Sequence, residues 1–275
     1  MNRHLRINGR PCAVVNADDR GLTYGDGLFE TVWMTSGKAP LWPRHMARLG
    51  EGCRRLGMPA PDPDRLWRDV LAACNGLASA TVRITWTRGS GPRGYAPPAS
   101  ARPTCIVSAA PATPWPADWY HHGICMHLCR TRLAVQPALA GLKHLNRLEQ
   151  VLARREWDDP QVGEGLMLDT QDRVISATAA NVFALRGDTL CTPAVDLCGV
   201  AGTARAELLA RRPDAEEVRW SLDALLAADA VFVTSAVRGV VPVRELDGRT
   251  WSPSARVRRL QDAWQSAGLP GGAVA

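Results

Sequence analysis

Apolar residues change their spacing several times along this chain, and that pattern limits the folds open to it. In "LFETVWM" (28–34) they alternate, as in a strand with one buried face. From "LWPRHMARLGEGCRRLGMP" (41–59) the spacing becomes helical. "DPDRLWRDVLAACNGL" (62–77) is a second amphipathic helix opened by Asp62, Pro63 and Asp64. "PCAVVN" reads as a further short strand, "DDRGLTYGDG" as turns, and "ATVRITWTRG" and "RPTCIVSAA" as strands. The proline- and aromatic-rich "PATPWPADW" (111–119) marks a domain boundary, giving a smaller domain over 1–112 and a larger one over 113–275.

The second half alternates more regularly. "GICMHLCRTRL" predicts a strand. "LNRLEQVLARREW" predicts a helix with Leu145, Leu148 and Leu152 on one face. "EGLMLDTQDRVISATAANVFALRGDTLCTP" predicts several short strands, "GTARAELLARRP" a helix, "AVFVTSAVRGVVPVREL" strands and "SARVRRLQDAWQSAG" a final helix. This order fits an α+β architecture with mainly antiparallel or mixed strands better than a regular βαβ succession.

Composition narrows the class of function. With 275 residues, 46% hydrophobic and 22% charged, the chain can bury a large core as one or two domains. No apolar run reaches the roughly 20 residues that cross a bilayer, and the N-terminus lacks the apolar core of a signal peptide, so a cytoplasmic protein without a membrane partner is expected. The eight cysteines lack C-x-x-C or zinc spacing and read as reduced thiols, with no metal site. A net charge of +6 raises the question of nucleic acid. The arginines are interleaved with acids, as in "RAELLARRPDAEEVR", so no nucleic-acid partner is expected and a small anionic substrate is the better inference.

Lysine occurs only at Lys38 and Lys143, every other of the 33 basic residues being arginine. Lys38 lies in a glycine-containing turn. Lys143 sits where a loop enters an amphipathic helix, after Gly141, a position suited to a Schiff-base lysine although also to a solvated one. Three further segments could together hold a phosphate: Arg48 in "RHMARL", the loop "GVAGTAR" (199–205) opening a helix, and the "VTSAV" turn (233–237). An amine for an imine together with a phosphate cradle is what pyridoxal phosphate requires.

The segments "DRGLTYGDGLFETVW", "HMARL", "TRGSGPRGY", "GLKHLNRLEQVLA", "TAANVF", "GVAGTAR" and "VVPV" occur in the order found in fold-type IV pyridoxal-phosphate enzymes, the class IV aminotransferase-like family, which the chain resembles nearly from end to end. The spacing is most similar to the branch of 4-amino-4-deoxychorismate lyases. The resemblance implies a D-amino-acid-aminotransferase-like fold of two α/β domains with pyridoxal 5'-phosphate at their interface. It implies Lys143, carried by the larger domain, as the cofactor lysine and proton carrier. Arg48, the amides of Thr203 and Ala204, and the turn at Ser235 and Ala236 would bind the phosphate. Arg93 and Tyr95 would bind a substrate carboxylate from the partner subunit of a homodimer, and Thr31 would assist proton delivery. Class IV aminotransferases of D- or branched-chain amino acids share most of this set.

One position departs from the family. Where a glutamate usually pairs with the pyridine nitrogen, "RVISATAANVF" has Ser176, with Thr178 of the same parity nearby. A hydroxyl there leaves the ring a weaker electron sink, which penalises transamination more than an elimination driven by aromatisation.

Overall fold

The computed structural model describes residues 4–271, and the chain divides into two compact units, Met1–Thr113 with Leu142–Asn146, and Pro114–Gly141 with Arg147–Ala275. In the first unit β1 (Leu5–Ile7), β2 (Arg10–Pro11), α1 (Arg20–Tyr24), β3 (Gly27–Thr35), α2 (Trp42–Leu56), α3 (Pro63–Ala73), β4 (Ser79–Thr87) and β5 (Thr104–Pro111) follow one another. The strands form an antiparallel sheet in the order β2-β1-β5-β4-β3. One face buries Leu28, Val32 and Met34 of β3 with Val82 and Ile84 of β4. Helix α2 packs on β3, and α3 on β5 and β1. Gly52 of α2 has no side chain where Leu28 packs, since a Cβ there would lie 2.6 Å from Leu28 Cδ1. Helix α3 starts where the sequence places it, because the Asp62 carboxylate accepts the N–H groups of Asp64 and Arg65.

The second unit contains α4 (Ala117–His121), β6 (Ile124–Leu128), α5 (Leu148–Arg154), β7 (Val162–Leu168), β8 (Val174–Ala177), β9 (Asn181–Arg186), β10 (Thr189–Pro193), α6 (Thr203–Arg211), β11 (Glu216–Val218), α7 (Leu222–Leu226), β12 (Ala230–Ser235), β13 (Gly239–Leu246), β14 (Arg249–Thr250) and α8 (Ala255–Ser266). Its sheet runs β11-β10-β9-β12-β13-β6-β7-β8, with β14 added to β13. The β10–β11, β13–β6 and β6–β7 pairs are parallel and the others antiparallel, so the fold is α+β with a mixed sheet. Strands β9 and β12 are buried along most of their length and meet at a stacked Phe183–Phe232 pair, ring centroids 5.2 Å apart. Helix α6 packs on β12, and α4 and α8 on β13.

Four readings are corrected. Lys143 does not belong with the larger unit: Leu142–Asn146 joins the first, where the Phe29 N–H donates to Lys143 O at 2.9 Å and the Leu145 N–H to Gly27 O at 3.0 Å. Backbone pairing to β3 outweighs chain order there. Helix α5 is shorter than 145–157, and its leucines are not an inward face; Leu148 is 76% and Leu152 52% exposed. "DDRGLTYGDG" contains a short helix, α1, because Asp19 caps it by accepting from the Gly21 N–H. "PCAVVN" reaches the sheet only through Pro11.

The Phe183–Phe232 pair makes a sharp test of the second unit's core. Replacing Phe232 by Ala is expected to lower stability by about 3–5 kcal/mol, read as a shift in the urea midpoint of the transition that reports the second unit.

Candidate active site

In the first unit the site begins with a charge inside an apolar layer. Glu30 shares a strand face with Leu28 and Val32 and is 1% exposed. A carboxylate there requires donors. Helix α2 supplies them from one face, His45 and Arg48 being three residues apart. Arg48 Nε donates to Glu30 Oε1 at 2.8 Å and its Nη2 donates to Oε2, while His45 Nδ1 lies 2.6 Å from Oε2. Burial pushes the Glu30 carboxyl up, but the Arg48 charge and the His45 and Arg48 hydrogen bonds override it and hold the group at about 2. Burial pushes His45 down despite Glu30, so the imidazole is neutral.

The opposite parity of β3 carries Phe29 and Thr31. Lys143 Nζ stands 4.3 Å from the centroid of the Phe29 ring, whose other cationic neighbour is Arg83 at 4.1 Å. The structure therefore brings Lys143 to the strand face that bears Thr31. Just before it, Gly141 has φ +78°, a left-handed conformation that suits glycine.

In the second unit, α6 opens at Gly202 without a side-chain cap, leaving its first amides to be satisfied by something other than the helix. Thr203 and Ala204 are both buried there, and the Thr203 hydroxyl has no hydrogen-bond partner. Asn181 Nδ2 donates to Val200 O at 2.9 Å, and a Cβ on Gly202 would lie 2.0 Å from Asn181 Oδ1, so the loop is held tightly to β9. At the end of β12 the buried Thr234 hydroxyl is likewise unpartnered. Ser235 and Ala236 follow in the half-buried turn, where Ser235 Oγ accepts from the Arg238 N–H at 3.2 Å.

Ser176 is buried on β8, opposite Met167, with a register shift next to it. The Thr178 hydroxyl donates to Glu164, which also pairs with Arg238. Arg93 and Tyr95 are exposed, Tyr95 at 88%. Their loop is nevertheless fixed. Buried Arg20 donates to Gly94 O at 2.9 Å and Tyr95 O at 3.0 Å, and the Gly94 N–H donates to Tyr24 Oη at 2.9 Å.

Residues 27–246 match the family model of class IV amino-transferases. The chain belongs to that family. A curated aminodeoxychorismate lyase from Vibrio harveyi is 35% identical over 86% of this chain and 89% of its own. The crystal structure of 4-amino-4-deoxychorismate lyase from Pseudomonas aeruginosa superposes with a TM-score of 0.91 at 45% identity, covering 95% of this chain and 98% of that one. A putative branched-chain-amino-acid aminotransferase from Methanocaldococcus jannaschii is 31% identical over 86% of this chain and 84% of its own.

In this class IV chain the residues that sequence reading passed over are Glu30 and His45. Their only signal was an acid among alternating apolar residues and a histidine three positions before Arg48. Glu30 also sets a pH dependence. Its folded-state value lies below the ordinary 4.5, so its stabilising contribution is present above that value and is lost as pH falls toward about 2. The first unit's stability should decline between pH 4.5 and 2, and Glu30→Gln should flatten that decline in urea titrations at stepped pH.

Proposed function

We propose that this chain is a pyridoxal-phosphate-dependent lyase that converts 4-amino-4-deoxychorismate to 4-aminobenzoate and pyruvate, working as a homodimer in the cytoplasm. The observation that carries the reading is the near full-length likeness to the Pseudomonas aeruginosa lyase, with Lys143 held over Phe29 on β3. The free thiols agree with a reducing compartment.

The residues fit the cofactor. A dianionic phosphate would satisfy the orphaned Thr203 and Thr234 hydroxyls and the uncapped amides of Thr203 and Ala204, with the Ser235–Ala236 turn beside Thr234. Arg48, already oriented by Glu30, would add a forked cation. Ser176 would face the pyridine nitrogen as a hydroxyl rather than a carboxylate. When bound, the cofactor supplies an electron-withdrawing ring conjugated to the substrate amine.

The chain's own residues then carry the proton chemistry. Lys143 Nζ accepts the proton from the substrate ring carbon, and the carbon–oxygen bond to the enolpyruvyl group breaks. The group leaves as the enolate of pyruvate, the proton held on Lys143 Nζ passes to its methylene carbon to complete pyruvate, and the six-membered ring becomes aromatic. The Thr31 hydroxyl, on the Phe29 face of β3, would relay a proton to or from Lys143. Arg93 and Tyr95 of the second protomer would hold the substrate carboxylate, a role that suits exposed side chains on a loop braced by Arg20.

The purified protein should show the near-visible absorbance of bound pyridoxal phosphate and release fluorescent 4-aminobenzoate from aminodeoxychorismate. Lys143→Ala should abolish both the lysine-linked absorbance and the product. Bound cofactor with amino transfer from alanine to 2-oxoglutarate, and no 4-aminobenzoate, would favour the aminotransferase activity named for the Methanocaldococcus jannaschii relative. Ser176→Glu should raise the ratio of transamination to elimination; an unchanged ratio would remove Ser176 from the account.

A further inference from the structure

His45 has no part in the chemistry above, yet it is built into the molecule with unusual economy. It is 1% exposed, and its Nδ1 is committed to Glu30 Oε2 at 2.6 Å. Its Nε2 is buried and has no hydrogen-bond partner. Glu30 is ionised and can only accept, so the proton of that bond belongs to His45 Nδ1. The bare Nε2 then carries a lone pair, the less costly of the two states to bury unpartnered and uncharged. A leucine or methionine would have filled this apolar layer without that cost.

What the imidazole adds is a third donor on a carboxylate that Arg48 alone would leave with room to turn. Arg48 grips Glu30 along its Nε–Nη2 edge, one bond to each oxygen. Oε2 takes the Nη2 and His45 bonds together, which fixes the carboxylate plane and therefore the guanidinium plane. We infer that His45 is a positioning residue: by donating from Nδ1 to Glu30 it sets the orientation in which Arg48 meets a phosphate group. The inference rests on the reading of Arg48 as a phosphate ligand. A neutral imidazole does this without adding charge to the Glu30–Arg48 pair.

The test titrates the full-length protein, freed of cofactor, with pyridoxal phosphate and separately with pyridoxal, which lacks the phosphate. His45→Leu should weaken pyridoxal phosphate binding by at least about fivefold, the loss of one buried charged hydrogen bond, and leave pyridoxal binding unchanged. His45→Asn, whose amide N–H stands near the place of Nδ1–H, should restore binding to within about threefold of wild type. His45→Gln, whose donor falls nearer Nε2, should behave like Leu; it serves as the donor-misplaced variant if Leu does not fold. A loss that strikes both ligands equally, or no loss in either Leu or Gln, overturns the inference while leaving the cofactor reading intact. Failure of the wild-type protein to bind pyridoxal phosphate overturns both.

Discussion

A carboxylate ion lies in the apolar layer formed by β3 and α2, and the first unit is arranged around satisfying it. Glu30 shares its strand face with Leu28 and Val32, so it cannot reach water by a change of rotamer without breaking that packing. An ion held this way is tolerable only if donors converge on it. Helix α2 meets the need with residues three apart on one face, and this fixes which face of the helix lies on the sheet. The same interaction leaves an arginine with a defined orientation.

The second unit meets a different requirement. Its central strands are buried and apolar along their middles, which suits a core, and their polar residues Asn181, Arg186, Thr234 and Ser235 lie at the strand ends. Polar capacity is instead concentrated where strands end and loops begin: the uncapped start of α6, the Thr234 hydroxyl, and the turn that follows β12. This is the usual division of labour between a rigid scaffold and the connections that it positions. Asn181 contributes to both, closing the α6 loop onto β9 through Val200.

Most elements were legible because local signals agreed with tertiary packing. Asp62 and Ser254 cap the helices that the sequence places after them. The strands of 164–193 alternate with polar turns as their pattern suggests. The misreadings have physical causes. Leu145, Leu148 and Leu152 imitate an inward helix face, but α5 begins at Leu148 and turns that face outward. Helix α1 depends on a single aspartate cap in a stretch otherwise rich in turn formers. Glu30 and His45 escaped notice because a buried ion and an exposed one look alike in a one-dimensional pattern.

By itself the sequence determined the order and kind of the main elements and singled out Lys143, Arg48 and the loop entering α6, since periodicity, capping and glycine placement are local properties. It could not determine that Leu142–Asn146 would pair with β3 rather than with the unit around it. Nor could it show that Thr178 would be engaged by Glu164, or that Glu30 would be clamped from α2. Those outcomes join residues distant in sequence through hydrogen bonds. Their partners are chosen only when folding removes water and leaves each buried polar group to find a complement within reach.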